Sequence, residues 1–338
     1  MNILLTGASG FAGAHMLKYL LESTNHQVYC PVTYRHGGHE NRISSLISQD
    51  LLTKSHVFHF DLATESLLRH ATLPKVDLII NYASESHVDR SISNPNDFTV
   101  NNSNLMINLL EFARQSNPKM HFIHISTDEV YGALPFGETN SEWERIYAPS
   151  NPYSASKAAQ ETLAIAYFKT YQLPIAIINS TNMIGEAQNV EKFLPKAIFS
   201  LMHNLTLYVD TDNSGKIGSR KYVDAVDVAR AVWMASIELQ KSEGQAGLPL
   251  KYHVAGSRDI SNQELIDMIG KVLRLTPEVI IRPSPRPGYD LRYELSTDSI
   301  KKLGWTQEFP IEERISEVVI WTTKNPEWLL IDHTANQV

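Results

Sequence analysis

Residues 2–22 read NILLTGASGFAGAHMLKYLLE, and this stretch decides the fold. It begins with an apolar run of strand length and ends with apolar residues at helical spacing. Three glycines, each three residues from the next, lie between these two segments. Because glycine has no side chain, the backbone can turn tightly there and approach a pyrophosphate, whose charge the start of the helix stabilises. The stretch predicts a strand–turn–helix unit that binds a dinucleotide; a purely structural turn is the alternative.

Strand-length apolar runs and helical patterns alternate over the first 180 residues. The predicted strands are residues 2–6, 28–32, 57–60, 76–82, 121–126 and 175–179, and the predicted helices are residues 14–22, 101–115 and 153–171. Strands that alternate with helices imply right-handed βαβ units and a parallel sheet with helices on both faces. We therefore predict the α/β class, with a doubly wound parallel sheet of the Rossmann type.

The alternation weakens after residue 180, where proline, glycine and asparagine become frequent and residues 210–220 have the composition of a loop. This change predicts a smaller, irregular C-terminal substrate lobe that covers a cleft. The expected domain bounds are 1–180, joined again by 221–255, for the dinucleotide-binding domain, and 181–220 with 256–338 for most of the substrate-binding lobe.

Charge and cysteine content exclude several classes of protein. The chain of 338 residues has 30 Lys plus Arg and 37 Asp plus Glu, so its formal net charge is −7. A negative chain without a basic tract is a poor nucleic-acid binder, and we expect no nucleic-acid partner. Cys30 is the single cysteine, which excludes a cysteine-rich zinc site, and we predict no metal. No apolar run reaches the roughly 20 residues of a membrane helix, and no secretory signal is evident at the start, so we expect a cytoplasmic protein without a membrane partner.

The end of the second strand bears on the choice between NAD and NADP. An acidic residue there binds the ribose hydroxyls of NAD, whereas an arginine suits the 2′-phosphate of NADP. Residues 30–36 contain no acid but do contain Thr33 and Arg35. We therefore favour NADP with Arg35 as the phosphate ligand, and the alternative is NAD with Arg35 as a solvated loop residue. Asp61, after the third strand, is expected either to bind the adenine amino group or to cap a helix.

Tyr153 and Lys157 lie four residues apart in a predicted helix, in the sequence YSASKA. Residues at this spacing share a helix face, so the lysine ammonium is expected near the phenol. A nearby positive charge favours the phenolate, which would enable Tyr153 to take a proton from a sugar alcohol. The pair alone is common by chance, but here it follows a glycine turn that lies about 140 residues upstream.

The sequence STDEVYG follows the strand predicted over residues 121–126. Ligands of open parallel sheets bind beyond the carboxyl ends of the strands, so Thr127, Asp128 and Glu129 are expected in the substrate site. Adjacent carboxyl groups in different surroundings can have well-separated pKa values, and can then serve as the acid and the base that a dehydration needs. The alternative for Asp128 is a solvated turn residue.

These motifs occur together in one known family. The chain resembles the nucleotide-sugar 4,6-dehydratases of the extended short-chain dehydrogenase/reductase superfamily, most closely those that act on dTDP-glucose, over nearly its whole length. The motifs that carry the resemblance are GASGFAG (7–13), ASESHVDRSI (83–92), STDEVYG (126–132), YSASKA (153–158), EKFLPKAI (191–198) and RPGYDLRY (286–293). The Asp-Glu pair after threonine is more specific than the glycine turn, since related epimerases and decarboxylases usually lack this aspartate.

The resemblance implies a lyase that converts a nucleotide hexose to its 4-keto-6-deoxy derivative and water. In that mechanism Tyr153, hydrogen-bonded to Thr127, removes the proton of the sugar 4-hydroxyl while a hydride passes from C4 to the nicotinamide. Glu129 then removes the C5 proton, and Asp128 protonates the departing 6-hydroxyl. The hydride returns to C6 and C5 is reprotonated, which regenerates the cofactor.

The resemblance also assigns residues to the site. The implied catalytic residues are Thr127, Asp128, Glu129, Tyr153 and Lys157. The cofactor-binding residues are Gly7, Gly10, Phe11, Gly13, Thr33, Arg35, Asp61, Leu62, Tyr82, Ala83, Tyr153 and Lys157. The substrate-binding residues are Ser84, Glu85, His87, Thr127, Asn182, Lys192, Phe193, Arg220, Arg286, Tyr289 and Arg292, of which the cationic ones suit a diphosphate. The alternatives left open are a structural loop role for His87 and ordinary surface positions for the cations.

Three departures from the family pattern bear on the substrate and the cofactor. Residues 183–186 are Met-Ile-Gly-Glu where the family usually has Asn-Tyr-Gly-Pro. Lys221 and Tyr222 stand where it usually has an aspartate and an aromatic residue. The acid of the second strand is missing, and residues 28–43 instead resemble the GDP-mannose 4,6-dehydratases, which use NADP. The sequence therefore supports the reaction type better than the nucleotide or the cofactor.

Alternatives on the same fold are a nucleotide-sugar 4-epimerase and a UDP-glucuronate decarboxylase. Asp128 argues against both, because neither reaction protonates a leaving 6-hydroxyl. A non-catalytic nucleotide-binding protein is the third alternative, and the complete set of five catalytic residues argues against it. By resemblance, the helices predicted over residues 101–115 and 153–171 form a four-helix interface, so we expect a homodimer.

Overall fold

Strands and helices alternate along the first three quarters of the chain. The computed structural model describes residues 1–70, 73–135, 137–143, 147–242, 247–285, 287 and 289–330. Its strands are β1 (Asn2–Thr6), β2 (Gln27–Val32), β3 (Ser55–His59), β4 (Leu78–Asn81), β5 (His121–Thr127), β6 (Ile175–Ser180), β7 (Met183–Ile184), β8 (Leu207–Thr211), β9 (Ser219–Arg220), β10 (Val223–Asp224), β11 (Leu250–Val254), β12 (Ile260–Ser261) and β13 (Val279–Pro283). Its α-helices are α1 (Phe11–Ser23), α2 (Arg42–Leu46), α3 (Gln49–Leu52), α4 (Val88–Ser93), α5 (Pro95–Ser116), α6 (Pro152–Tyr171), α7 (Phe193–Met202), α8 (Ala225–Lys241), α9 (Asn262–Leu273), α10 (Asp298–Lys302) and α11 (Ile311–Lys324). Short 3-10 helices span Leu67–Arg69, Asp128–Tyr131 and Pro326–Leu329.

Seven strands form one parallel sheet in the order β3-β2-β1-β4-β5-β6-β11. The central strands are apolar on both faces, and every residue of β4 and β6 is buried. Such continuous apolar strands are typical of parallel sheets that helices cover on both sides. The predicted fold class, a doubly wound α/β sheet, is confirmed.

Separate apolar cores cover the two faces of the sheet. On one face α1 and α8 pack against the strands through residues such as Leu17, Leu20, Val228 and Val232. On the other face α5 and α6 pack through residues that include Leu109 and Ala164. The two helical layers therefore enclose the central strands between them.

A third core lies outside the sheet and joins α7, α9 and α11, with Ile198, Ile266 and Val319 at its centre. Small two-stranded ladders connect this C-terminal lobe to the rest, and β8 pairs with β13 in parallel. Strand β11 pairs with β6 at the edge of the main sheet. Ile300 and Trp305 also pack into the core on the α1 side, so part of the stretch expected in the lobe lies against the sheet. The division into two domains stays a prediction.

The main differences from the sequence predictions concern element ends. The helix expected over residues 101–115 begins earlier, at Pro95, because proline is favourable at the first position of a helix. The first turns are mostly polar and lack apolar residues at helical spacing, so the sequence pattern did not include them. The expected loop at residues 210–220 shares its ends with β8 and β9. In the described part of the chain, no helix is both long and apolar enough to cross a membrane.

Candidate active site

A cleft of about 640 Å³ opens at the carboxyl ends of the central strands. The ladder registers place Thr6 beside Asn81 and Thr127 beside Ser180, so these strands end at one edge. The strand order reverses between β1 and β4, and such reversals are where open α/β sheets bind ligands. The lobe supplies the opposite wall of the cleft through α7, β8 and the segment around Tyr289.

The glycine-rich turn between β1 and α1 forms one end of the cleft. Gly7 has φ +73°, and a Cβ on it would lie 2.8 Å from the backbone of Tyr82 and Ala83. A Cβ on Gly13 would lie 2.1 Å from the Gly7 carbonyl oxygen. Only glycine therefore permits this close approach of the turn to β4 and of α1 to the turn. The result is an open backbone cradle at a helix N-terminus, which suits a pyrophosphate.

Arg35 and Asp61 lie together at the ends of β2 and β3. The Arg35 Nη2 donates to Asp61 Oδ2 at 2.5 Å, although the arginine side chain is 51% exposed. Asp61 Oδ1 also accepts the Ala63 N–H at 3.0 Å. Asp61 thus binds both its own turn and the arginine, and both residues line the cleft.

All residues predicted to bind the cofactor line the same cleft. These are Gly7, Gly10, Phe11, Gly13, Thr33, Arg35, Asp61, Leu62, Tyr82, Ala83, Tyr153 and Lys157. The fold brings them together from five segments: four of these segments directly follow strands β1 to β4, and the fifth is the start of α6.

Thr127, Asp128 and Glu129 form a tight group where β5 passes into a 3-10 helix. The Thr127 hydroxyl donates to Asp128 Oδ1 at 3.0 Å, and the Glu129 N–H donates to Thr127 Oγ1 at 3.4 Å. The Asn151 side-chain amide donates to Glu129 Oε2 at 3.3 Å. Three residues after Glu129, Gly132 has φ +73°, and a Cβ there would collide with the Ala148 carbonyl.

The two carboxyl groups have raised affinities for protons. Burial and the neighbouring Glu129 raise the pKa of Asp128 from 3.8 to about 7. Burial also raises the pKa of Glu129, while the hydrogen bond from Asn151 opposes the shift. Near neutral pH, Asp128 is therefore able to hold a proton that it can donate, and this behaviour separates it from a solvated turn residue.

Tyr153 stands beside Thr127, with which it makes a hydrogen bond. Burial raises the pKa of Tyr153, and the charge of Glu129 raises it further. The sequence predicts the opposite direction, with Lys157 favouring the phenolate. The Lys157 ammonium instead donates to the Ile125 carbonyl at 2.6 Å and to Gln160 Oε1 at 2.8 Å. Burial also lowers the pKa of Lys157 to about 7, which reduces the positive charge that could favour the phenolate, and burial of the phenol determines the direction of the Tyr153 shift.

The start of α6 fixes Tyr153 in place. Asn151 caps the helix, since its side chain accepts the Ser154 N–H and its own N–H donates to the Ser154 hydroxyl. Pro152 occupies the first helical turn, and the Tyr153 N–H donates to Ser91 Oγ at 3.1 Å. Asn151 therefore supports the tyrosine through the helix and the glutamate through its amide. We did not predict this role, although an asparagine before a proline at a helix start is a recognisable signal.

Most residues predicted to bind the substrate line the cleft. Those present are Ser84, Glu85, His87, Thr127, Asn182, Lys192, Phe193, Arg220 and Tyr289. The Arg220 guanidinium donates to the carbonyls of Asp290 and Leu291 and stacks over Tyr293 at 4.8 Å. His87 caps α4 by accepting the Arg90 N–H, and burial lowers the pKa of its imidazole.

One described residue that was predicted to bind the substrate, Arg292, does not line this cleft. Arg292 is buried, and its guanidinium binds Asp259 at 3.1 Å and also Glu294. A surface arginine and a buried ion pair have the same sequence signature, so the pattern alone did not distinguish them. Arg286 lies outside the described residues.

The cleft also contains residues that the sequence did not single out. Asp290 accepts the Tyr293 hydroxyl at 2.5 Å and lies near enough to Glu129 to raise its pKa. Arg282 stacks on the ring of Tyr208 at 4.1 Å near the lobe wall. These residues come from segments without clear periodicity, and only the fold brings them to the cleft.

The fold and the cleft define a class of protein: a dinucleotide-binding α/β protein with the tyrosine and lysine of the short-chain dehydrogenases. The family described as Epimerase, the NAD dependent epimerase/dehydratase family, matches residues 3–246. The chain belongs to this family.

Known proteins of similar sequence and structure support the resemblance. A probable dTDP-glucose 4,6-dehydratase of Sinorhizobium fredii is 33% identical and aligns with 97% of this chain and 94% of its own. A trifunctional UDP-glucose 4,6-dehydratase/UDP-4-keto-6-deoxy-D-glucose 3,5-epimerase/UDP-4-keto-L-rhamnose-reductase of Arabidopsis thaliana is 32% identical over 97% of this chain, which spans 48% of that relative. The dTDP-glucose 4,6-dehydratase of Streptomyces venezuelae, solved with NAD bound, has a TM-score of 0.85 at 28% identity, with 97% of this chain and 98% of that one covered. The resemblance to the 4,6-dehydratases is confirmed.

Proposed function

We propose that the protein is a nucleotide-sugar 4,6-dehydratase, a lyase that removes one water from a nucleoside diphosphohexose. The observation that carries the proposal is the placement of Asp128 and Glu129 beside Tyr153 in one cleft. An epimerase needs the tyrosine but has no step that uses a buried, protonatable aspartate next to a second carboxyl. Relatives named as 4,6-dehydratases support the same reaction.

The residues of the cleft fit a nicotinamide dinucleotide. A Cβ at Gly7 or Gly13 would collide with the neighbouring backbone, so glycine at both positions permits the tight turn at a helix N-terminus that suits a pyrophosphate. Tyr82 and Ala83 lie against this turn, and Lys157 and Tyr153 line the same cleft. When bound there, the nicotinamide would accept a hydride from the sugar and later return it.

The residues of this chain then move the protons. Tyr153 takes the proton of the 4-hydroxyl, and the hydrogen bond to Thr127 opposes the effect of burial on its pKa. Glu129 removes the proton on C5, which a ketone at C4 makes acidic. Asp128, protonated near pH 7, gives its proton to the departing 6-hydroxyl, so that water leaves. Reprotonation at C5 completes the 4-keto-6-deoxy product.

Mass spectrometry of sugar nucleotides incubated with the purified protein and both cofactors tests the proposed reaction. The panel contains the dTDP, UDP, GDP and CDP hexoses and UDP-glucuronate. We expect one substrate to lose the mass of one water, which also identifies its nucleotide. An isomer of unchanged mass would establish an epimerase, loss of carbon dioxide would establish a decarboxylase, and no change in any substrate would count against all three.

We propose NADP as the cofactor, on the strength of Arg35, with NAD as the alternative. The half-exposed guanidinium can turn toward a 2′-phosphate, whereas its present partner Asp61 favours an uncharged ribose at that place. The NAD in the Streptomyces structure supports the alternative.

Arg35→Ala is expected to weaken NADP binding by about tenfold or more and to leave NAD binding nearly unchanged, because charge-assisted hydrogen bonds to phosphate would be lost. Titration calorimetry with both dinucleotides measures this difference. Arg69→Ala, at an exposed arginine outside the cleft, is the matched control. A wild-type dissociation constant for NAD well below that for NADP would establish NAD instead.

We propose that the diphosphate of the nucleotide sugar lies near Lys192 and Arg220, which line the lobe side of the cleft.

We also propose that the protein forms a homodimer through α5 and α6. These helices pack side by side, and the Tyr167 hydroxyl of α6 donates to Glu111 of α5 at 2.6 Å. Val100, Ile107 and Tyr171 leave apolar surface exposed on the same pair, which supports a covering partner helix pair.

A further inference from the structure

Arg42 is a fully buried arginine at the start of α2 that the proposed mechanism does not use. Its guanidinium donates hydrogen bonds to three backbone carbonyls and to one side-chain amide oxygen. Removing a guanidinium from water is unfavourable unless its donors are satisfied in a fixed geometry. Burial of the Arg42 guanidinium is therefore favourable only while its hydrogen-bond acceptors keep their positions.

The acceptors of Arg42 belong to three separate segments. Nη1 donates to the Ser9 carbonyl of the glycine-rich turn at 2.6 Å and to the Gly37 carbonyl of the loop after β2 at 2.7 Å. Nη2 donates to Asn189 Oδ1 at 2.7 Å, in the loop that follows β7. Ser9, Gly37 and Asn189 all line the cleft. The Arg42 side chain thus connects three loops at the end of the cleft that the glycine-rich turn forms, which is called the dinucleotide end below.

Two features show that these loops are held closely rather than merely adjacent. A Cβ on Gly38 would lie 2.9 Å from Ser9 Oγ, so the loop after β2 is pressed against the glycine-rich turn. Ala187, whose carbonyl accepts Arg42 Nε at 3.0 Å, has φ +57°. That left-handed conformation is unfavourable for alanine and persists where the surroundings impose it.

Trp328 covers Arg42 from the C-terminal side. Its ring centroid lies 4.9 Å from the guanidinium carbon, and only 2% of the residue is exposed. Its neighbour Leu329 is part of the core of the C-terminal lobe. The last 3-10 turn therefore connects the lobe core to the loops at the dinucleotide end of the cleft.

We propose that Arg42, held under Trp328, is a positioning residue that sets the affinity for the dinucleotide by keeping the glycine-rich turn, the loop after β2 and the loop after β7 in one arrangement. The proposal rests on the proposed function, since it assigns the dinucleotide to this end of the cleft. Arg42 need not contact the dinucleotide for this role. The C-terminal lobe thereby supports cofactor binding as well as the substrate side.

Arg42→Lys tests the proposal, because an ammonium cannot reproduce the planar fork that reaches three segments at once. We expect the dissociation constant for the preferred dinucleotide to rise by about tenfold or more. The dissociation constants of dTDP, UDP and GDP, measured by the same calorimetry, are expected to stay unchanged. Arg230→Lys, at an ion-paired arginine of α8 outside the cleft, is the matched control.

Trp328→Leu provides a second variant, which decides the question if Arg42→Lys does not fold. It keeps an apolar cover but removes the indole from the guanidinium, and we expect a dinucleotide affinity several-fold weaker. An unchanged dinucleotide affinity in a folded variant, or a matched loss of affinity for dinucleotide and nucleoside diphosphate, would overturn the positioning role. Absence of dinucleotide binding in the wild type would overturn the proposed function itself, and with it this proposal.

Discussion

Tyr153→Phe is expected to lower the turnover of the nucleotide sugar by about 100- to 10,000-fold, the range typical for the loss of a general acid–base group. The change removes only the hydroxyl. The ring stays packed edge-on against Phe98, with centroids 6.3 Å apart, and the helix cap at Asn151 is untouched. Dinucleotide binding is therefore expected to remain, which separates a catalytic loss from a folding defect.

The measurement is the initial rate of product formation under saturating cofactor, with the dinucleotide dissociation constant determined on the same preparation. Tyr252→Phe is the matched control, because Tyr252 is a buried tyrosine that does not line the cleft. Its turnover is expected to equal that of the wild type. If Tyr153→Phe kept a rate within about threefold of the wild type, Tyr153 would not be the group that takes the hydroxyl proton.

The parallel sheet and its glycine turn were predictable because their signals are local. A residue such as Ile79, buried on β4, belongs to a short apolar run, and the glycines stand directly between a strand and a helix. The strand-end motif was equally readable, since topology alone places Thr127 at the edge where ligands bind. These parts of the site follow from the order of elements along the chain.

Other properties depend on burial, which the sequence does not state. The direction of the Tyr153 pKa shift was predicted wrongly, because the proximity of Lys157 in the helix says nothing of the Ile125 carbonyl that binds its ammonium. The sequence predicts that Arg292 binds phosphate, but in the structure its guanidinium forms ion pairs with Asp259 and Glu294. Contacts between distant segments decide both cases.

Asp128 shows how local motif and burial combine. The motif places two carboxyl groups at one strand end, but a motif alone does not say which of them holds a proton. Burial, with Glu129 adjacent, raises the pKa of Asp128 to about 7, while the Thr127 hydroxyl opposes the rise. The proton affinity that suits Asp128 to the proposed acid role thus depends on its surroundings as much as on its identity.

Asp128→Asn is expected to stop the loss of water but to leave oxidation at C4 in place, because the amide keeps the shape of the side chain and has no proton to give. Reduced nicotinamide should then accumulate after mixing with substrate and be visible in the ultraviolet absorbance, while product formation falls by about 100- to 10,000-fold. Asp227→Asn is the control, since Asp227 also has a raised pKa, of about 6, but lies outside the cleft. Equal loss of the oxidation and water-loss steps would contradict a separate acid role.

The pH dependence gives the same prediction a second readout. In the wild type the acid must be protonated, so the water-loss rate should fall tenfold per pH unit above an apparent pKa near 7. The pKa of Asp128 in the folded protein lies above the ordinary value of 3.8, so between these two values the folded state binds a proton that the unfolded state does not. The free energy of unfolding therefore falls as the pH rises from about 3.8 through 7. Asparagine has no charge to bury at pH 8, so Asp128→Asn should resist unfolding by urea at that pH at least as well as the wild type. Its low activity there would then reflect the missing proton, whereas a variant that unfolds more readily at pH 8 would show that Asp128 is a structural residue.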